Sequence, residues 1–372
     1  MPRYVAIEGL RGWLAWTVVA AHIVLFAGFD AWHPVGWFIA QAGFWAVAVF
    51  VMISGFVISH LLIEKSEPYG AYIVRRLMRL LPAFLVASVL GAGAVTWAAV
   101  AAAHSPLSAI PGYGFAAQVV RWQRGWFAHV PSNIALHLSM LHGLSPSSEY
   151  AFLPPGWSVS LEWQYYLIAP LLLVAVKRGA TWTTAAALLV AAAWNATLGQ
   201  VFASPSALPA MGYYFVIGAL SRVWLRPTKL PAALALLSLG LPFVLRSFDL
   251  LPLGVWGAFL VFLVSERAAP GQKPGWVALA LESPVARYVG ERSYSVYLLH
   301  FPILWALFAL TAPYLHSRGQ LAACLALAAP PLIMAAADLS YRLVERPGMA
   351  LGRRLARGLM RSPPAKVEEA AA

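Results

Sequence analysis

From residue 12 to residue 343 the chain runs as long apolar stretches separated by short polar breaks, without the strict alternation of half-buried strands. A membrane span needs about 20 apolar residues to cross roughly 30 Å of hydrocarbon. By that measure the pattern predicts about ten spans, at 12–29, 36–63, 77–101, 157–176, 181–200, 209–225, 230–246, 251–265, 293–312 and 319–343. The fold class predicted is therefore all-α, a polytopic membrane protein. The stretch 102–156 is rich in Pro and Gly and contains NIALHLSMLHGL (133–144), too short to cross and read as a re-entrant or interfacial helix. Residues 1–347 form one membrane domain by this pattern. A tail over 348–372 is basic and then disordered, ending in the polar, Pro-containing RSPPAKVEEAAA.

Composition agrees with a membrane solvent. Hydrophobic residues make up 61% of the chain and charged residues 11%, against roughly 45–50% and about 25% in soluble domains. Mean hydropathy is +0.71. The formal net charge of +12 does not require a nucleic-acid partner, because the basic residues lie in loops flanking apolar runs. Lys65, Arg75, Arg76 and Arg79 separate two runs, and Arg353, Arg354, Arg357, Arg361 and Lys366 follow the last. Such loops mark the cytoplasmic side, which puts both termini there and predicts a multi-pass protein of the cell inner membrane. The first apolar run lacks an Ala-x-Ala-like end, so no cleaved signal peptide is expected. Cys324 is the single cysteine, which excludes an internal disulfide or a cysteine metal site.

A charged side chain at mid-helix costs on the order of 2.5–3.5 kcal/mol on insertion scales, so each one inside a span is a functional candidate. Glu8, Arg11, His22, Glu162, His300, Asp338, Arg342 and Glu345 are those candidates. In EGLRGWLAWTVVAAH (8–22) Arg11 and His22 stand eleven residues apart. At helical spacing they share a face and are separated by about 16 Å along the axis. Histidine suits proton transfer near neutral pH.

Other motifs are weaker alone. SGFVIS (54–59) reads as close helix packing through small residues. RRLMRLLP (75–82) places Arg76 and Arg79 on one helix face, where topology and lipid headgroups compete with an anionic ligand. PPGWSVSLEWQYYLIAP (154–170) has aromatics suited to the membrane interface, but Glu162 lies inside the span and needs a partner or ligand. GERSYSVYLLH (290–300) carries Ser293, Tyr294, Ser295, Tyr297 and His300 into a span. LSYRLVERP (339–347) sets Arg342 and Glu345 three apart, which predicts an ion pair between them. His129, His137 and His142 have spacings of eight and five, which fit neither a metal pair nor haem ligation on one helix.

Together, in their order and spacing, these segments resemble the acyltransferase-3 family of integral membrane acyltransferases, from residue 7 to about 347. The resemblance implies transfer of an acyl group, most often acetyl from cytoplasmic acetyl-CoA, to a hydroxyl of a cell-surface or lipid-linked glycan, with no metal. It carries the family's Arg-x10-His motif onto Arg11 and His22, its Arg-x-x-Arg motif onto Arg76 and Arg79, and its acid onto Glu162. Catalytic roles are thus expected of His22, Glu162 and Arg11. Binding of the CoA phosphates is expected of Arg75, Arg76 and Arg79, and of the acceptor by Glu8, Trp157, Trp163, Tyr166, Ser293, Tyr297 and His300. Glu162 is expected to orient His22, stabilise its imidazolium or bind the acceptor. Glu8 stands where the family usually has Asp, and Trp13 and Trp16 are bulkier than common, from which a narrower channel is expected. The hydrolase-like C-terminal domain of many relatives is not expected here. The competing class is a proton-coupled transporter or flippase of a lipid-linked sugar, whose relays use the same residue types, although no two-fold internal repeat is present.

Overall fold

The computed structural model describes residues 4–31, 33–65, 67–177, 204–224, 250–268 and 275–361, and among them every regular element is helical. Two long helices open the chain, α1 (Val5–Ala27) and α2 (Pro34–Glu64). Gly28 ends α1 in the left-handed region at φ 70, where its N–H reaches the carbonyls of Leu25 and Val24, a conformation that suits a residue without Cβ. Pro34 starts α2 at a position where a missing N–H costs nothing, and the His33 ring accepts from the Val35 N–H at 3.2 Å. Next come α3 (Tyr69–Ala103), α4 (Phe115–Ala128), α5 (Val130–Leu138), α6 (Trp157–Lys177), α7 (Leu208–Trp224) and α8 (Leu250–Ala268). The short helices α9 (Trp276–Glu282) and α10 (Pro284–Glu291) lead into α11 (Ser293–Thr311) and α12 (Arg318–Ser340). A π-helical turn, Tyr341–Glu345, joins α12 to α13 (Arg346–Arg361).

Among the described residues, five helical stretches are long and apolar enough to cross a membrane: α1, α2, α3, Ser293–Tyr314 and Arg318–Met360. The protein is a multi-pass membrane protein. The expected spans at 157–176, 209–225 and 251–265 are the helices α6, α7 and α8. Those at 181–200 and 230–246 lie outside the described residues, as does 362–372 of the tail. The basic part of the tail is helix α13, which packs on the first turns of α3. There Gly352 and Gly348 lie against Met78.

Three local expectations change. Residues 102–156 hold a full helix, α4, as well as the short α5, which begins at Val130, ahead of the expected 133–144, and ends at Leu138. The loop at 266–292 contains α9 and α10, which cover α1. Arg342 does not pair with Glu345. Its Nε holds Asp338 Oδ2 at 2.8 Å, and Glu345 turns inward to 3% exposure. The π-helical turn widens the backbone spiral between them, so the three-residue spacing no longer puts both side chains on one face.

Two close crossings position the elements that matter below. A Cβ on Gly218 of α7 would lie 1.9 Å from the Met52 carbonyl oxygen of α2. A Cβ on Gly290 of α10 would lie 1.9 Å from the Glu8 carbonyl oxygen of α1. Only glycine lets these backbones touch. The contacts fix the rotation of α2 and of α1, and with it the faces that carry Ser54, Glu8 and Arg11.

Candidate active site

Two cavities follow one another along α1. The first, about 300 Å³, is lined by residues of six helices, Phe215 of α7 and a set from each of five others. The five sets include Ile7, Glu8 and Arg11 from α1, Val47, Phe50, Val51 and Ser54 from α2, Arg76 and Arg79 from α3, Ser158, Glu162 and Tyr166 from α6, and Ser293, Tyr294 and Tyr297 from α11. The spacing within each set is that of a helix face. Three guanidinium groups thus face two carboxylates. Arg11 Nη1 lies 3.4 Å from Glu8 Oε2. Among the described residues neither Arg76 nor Arg79 has a carboxylate in ion-pair range. Arg76 lies over the Tyr166 ring at 5.8 Å, and Arg79 Nη1 is 3.6 Å from Met349 Sδ. The balance favours an anion, since guanidinium binds phosphate oxygens well.

Glu162 is held within this basic cavity. Ser54 Oγ donates to its Oε1 at 2.6 Å, and the Tyr166 hydroxyl donates to the same oxygen. Ser54 belongs to a segment whose glycine does pack as expected, since a Cβ on Gly55 would meet the Phe215 carbonyl oxygen at 2.1 Å. The serine beside it instead holds Glu162, and no signal within SGFVIS separates the two. Glu345 is a third acid, a candidate whose spacing had pointed to Arg342 rather than to this site. It is buried, accepts from Ser295 Oγ at 2.9 Å, and extends the polar wall near Arg79.

The second cavity, about 690 Å³, is lined by His22, Leu25 and Phe26 of α1, Phe44 and Val47 of α2, and Gln118, Arg121 and Trp122 of α4. Asp30, Tyr150, Pro154, Pro155, Trp157 and Tyr297 complete much of its rim. Trp157 stacks on Phe44 with centroids 6.3 Å apart. Arg11 and His22 lie on one face of α1, as their spacing predicts, yet they open into different cavities.

His22 has two neighbours at Nδ1. The Val18 carbonyl oxygen lies at 2.9 Å and His300 Nε2 at 3.0 Å. A carbonyl can only accept, so Nδ1 carries the proton, and the lone pair of the neutral ring is on Nε2. His300 is fully buried and lines neither cavity. It stands behind His22 at a ring-centroid distance of 4.9 Å.

The remaining expected site residues divide. Tyr166, Ser293 and Glu8 line the basic cavity, Trp157 lines the histidine cavity, and Tyr297 lines both. Trp163 is buried and lines neither. Arg75 is turned away from the cavity and pairs with Glu67. Glu162 lines the basic cavity with Ser54 and Tyr166 as its partners, and the side chain that meets His22 is instead His300. The sequence pattern of α4 could have pointed to the second cavity: Phe115, Val119, Trp122 and Trp126 follow helical spacing. Of the loop histidines, His137 and His142 stack on each other at 4.3 Å and on Phe84. Burial, with the nearby His137, lowers the His142 pKa to about 3, against the raising effect of its bond to the Gly156 carbonyl.

A family model described as an acyltransferase domain matches residues 4–339. Among curated proteins the chain is similar to one named a membrane-bound transacylase, BcsY, of Komagataeibacter xylinus, 28% identical over 92% of this chain and 82% of the relative. It is 25% identical to a Staphylococcus aureus (strain COL) protein named as an O-acetyltransferase, SACOL0978, over 82% of this chain and 52% of the relative. It is 26% identical to peptidoglycan O-acetyltransferase OatA of Listeria monocytogenes, over 92% of this chain and 55% of the relative. The chain thus spans most of the first relative and about half of each of the other two. No solved structure matches.

Proposed function

The chain belongs to the acyltransferase-3 family, and from that premise we propose that it moves a short acyl group, acetyl foremost, from cytoplasmic acyl-CoA to a hydroxyl of a cell-surface or lipid-linked glycan. The observation that carries the proposal is the succession of two cavities along one face of α1, the first with Arg11, Arg76 and Arg79 and the second with His22. The basic cavity takes the donor. Its volume, about 300 Å³, is at the low end for ligand pockets. The pantetheine arm would occupy it while Arg76 and Arg79 hold phosphates at the mouth. In the inner membrane this end of the bundle faces the cytoplasm, in keeping with the basic loops. The larger histidine cavity takes the acceptor, with Trp157, Trp122 and Tyr150 offering stacking faces and Asp30, Gln118 and Arg121 offering polar ones.

The chemistry follows from the His22 tautomer. With Nδ1–H bonded to the Val18 carbonyl and close to His300, Nε2 is the base. It takes the proton of the acceptor hydroxyl as that oxygen attacks the thioester carbonyl carbon. The new C–O bond forms, the C–S bond breaks, and the CoA thiolate leaves with the proton returned from the imidazolium. His300 holds the ring in this orientation, as a third group does in a nucleophile–base pair. Glu162, fixed by Ser54 and Tyr166, orients the donor arm beside the arginines. The family match favours this group transfer over a transporter or flippase.

The test is incubation of membranes containing the protein with acyl-labelled acetyl-CoA. Label is expected in a base-labile ester, and His22→Ala is expected to abolish it. Full ester formation by His22→Ala, or none by the wild type, overturns the proposal.

A further inference from the structure

Among the described residues, only Val47 of α2 and Tyr297 of α11 line both cavities, so these two side chains form the wall between them. Both are buried, at 5% and 7% exposure. Neither is free to swing. Val47 is β-branched within a helix, which leaves it essentially one rotamer. The Tyr297 hydroxyl lies 3.0 Å from the Pro155 carbonyl oxygen, to which it donates, and 2.7 Å from Ser158 Oγ. Its ring is flanked by Phe50 at 6.1 Å and His300 at 5.9 Å. The anchor is itself stiff, because Pro154 and Pro155 fix the chain that leads into α6.

The arginines reach only the first cavity and His22 only the second. For a thioester held by the arginines to meet a hydroxyl activated by His22, the acyl group must lie at the boundary between the cavities. We propose that Val47 and Tyr297 form the constriction that receives the acyl chain and limits its length, making this pair the acyl-size determinant of the enzyme. The carbonyl carbon passes between the two side chains toward His22, and the rest of the acyl group lies against the Val47 methyls and the Tyr297 ring. Two apolar surfaces held in single conformations accept an acetyl group and resist added methylenes. In an apolar pocket one methylene changes the rate by roughly 10–200-fold. This inference rests on the acyl-transfer proposal above and adds to it which residues select the donor.

The experiment compares acetyl-, propionyl- and butyryl-CoA, each labelled in the acyl group, as donors for base-labile ester formation in membranes containing the wild type or a variant. Val47→Ala and Tyr297→Ala are expected to raise the butyryl-to-acetyl ratio by about tenfold or more. Val47→Leu, which narrows the opening, is expected to lower the propionyl-to-acetyl ratio. If Tyr297→Ala makes no ester at all, the two Val47 variants decide: opposite shifts support the constriction, and wild-type ratios in both overturn it. Wild-type ratios in Val47→Ala and Tyr297→Ala with acetyl transfer intact also overturn it. Absence of label with every donor in the wild type counts against acyl transfer itself, and so is distinct from failure of the constriction.

Discussion

Replacing His300 tests the proposed catalytic geometry most sharply. In the folded chain His22 Nδ1 has two acceptors, the Val18 carbonyl at 2.9 Å and His300 Nε2 at 3.0 Å. His300→Ala removes one and leaves the other, so the tautomer survives while the ring gains freedom to rotate about its remaining bond. Loss of an orienting partner of this kind costs about 10–100-fold in rate, or about 1.4–2.7 kcal/mol of transition-state stabilisation. Since His300 lines neither cavity, kcat is expected to fall by that factor while KM for acetyl-CoA stays within about twofold. The assay is initial-rate ester formation over a range of labelled acetyl-CoA concentrations, with thermal unfolding measured in parallel because the side chain is fully buried. His300→Gln can present an amide oxygen to Nδ1–H and is expected to recover about half of the lost stabilisation or more. Wild-type kcat in His300→Ala, or a raised KM with kcat intact, refutes an orienting role and returns His300 to substrate binding.

Arg79→Ala, which removes a guanidinium from the basic cavity, is expected to raise KM for acetyl-CoA by about 10–100-fold, whereas Arg75→Ala, outside the cavity and paired with Glu67, is expected to leave it within about threefold. Equal effects of the two in the same kinetic assay would remove the distinction drawn between them. Gly218→Ala puts a Cβ 1.9 Å from the Met52 carbonyl oxygen and is expected to cost about 1–3 kcal/mol, read as a lowered unfolding temperature of the detergent-solubilised protein. Because burial lowers the His142 pKa to about 3, the unfolded chain binds this proton first as pH falls below about 6.5. Stability is therefore full above pH 6.5 and declines as pH drops from there toward 3. His142→Phe, which keeps a ring on Phe84, is expected to flatten that part of an unfolding-temperature profile against pH.

Solvent explains how much of this was legible from the chain. Hydrocarbon penalises every charge and every unsatisfied backbone group. Long apolar runs therefore announce helices, and the few ionisable residues within them announce a site. Arg11, His22 and Glu162 stood out on that ground alone, Arg76 and Arg79 only through the family resemblance, and helical spacing placed Arg11 and His22 on one face of α1. Helix α4 went unread because the Pro and Gly around it outweighed a short periodic pattern, although Phe115, Val119, Trp122 and Trp126 were in register.

Tertiary structure alone decided which residues meet. Ser54 touches Glu162 across 108 positions and His300 touches His22 across 278, distances over which periodicity carries no information. The same holds for Arg75 and Arg79, near neighbours on α3 that end on different sides of the cavity wall. Glu345 faces inward only because a π-helical turn changes the register beneath it. Composition and period determine what kind of element each stretch becomes, since those depend on local backbone bonding and on the solvent. The rotation of each helix against the next is set by where glycines let backbones touch, at Gly218 on Met52 and Gly290 on Glu8. That rotation, a property of pairs of helices, is what sorts the polar side chains into two cavities with Val47 and Tyr297 between them.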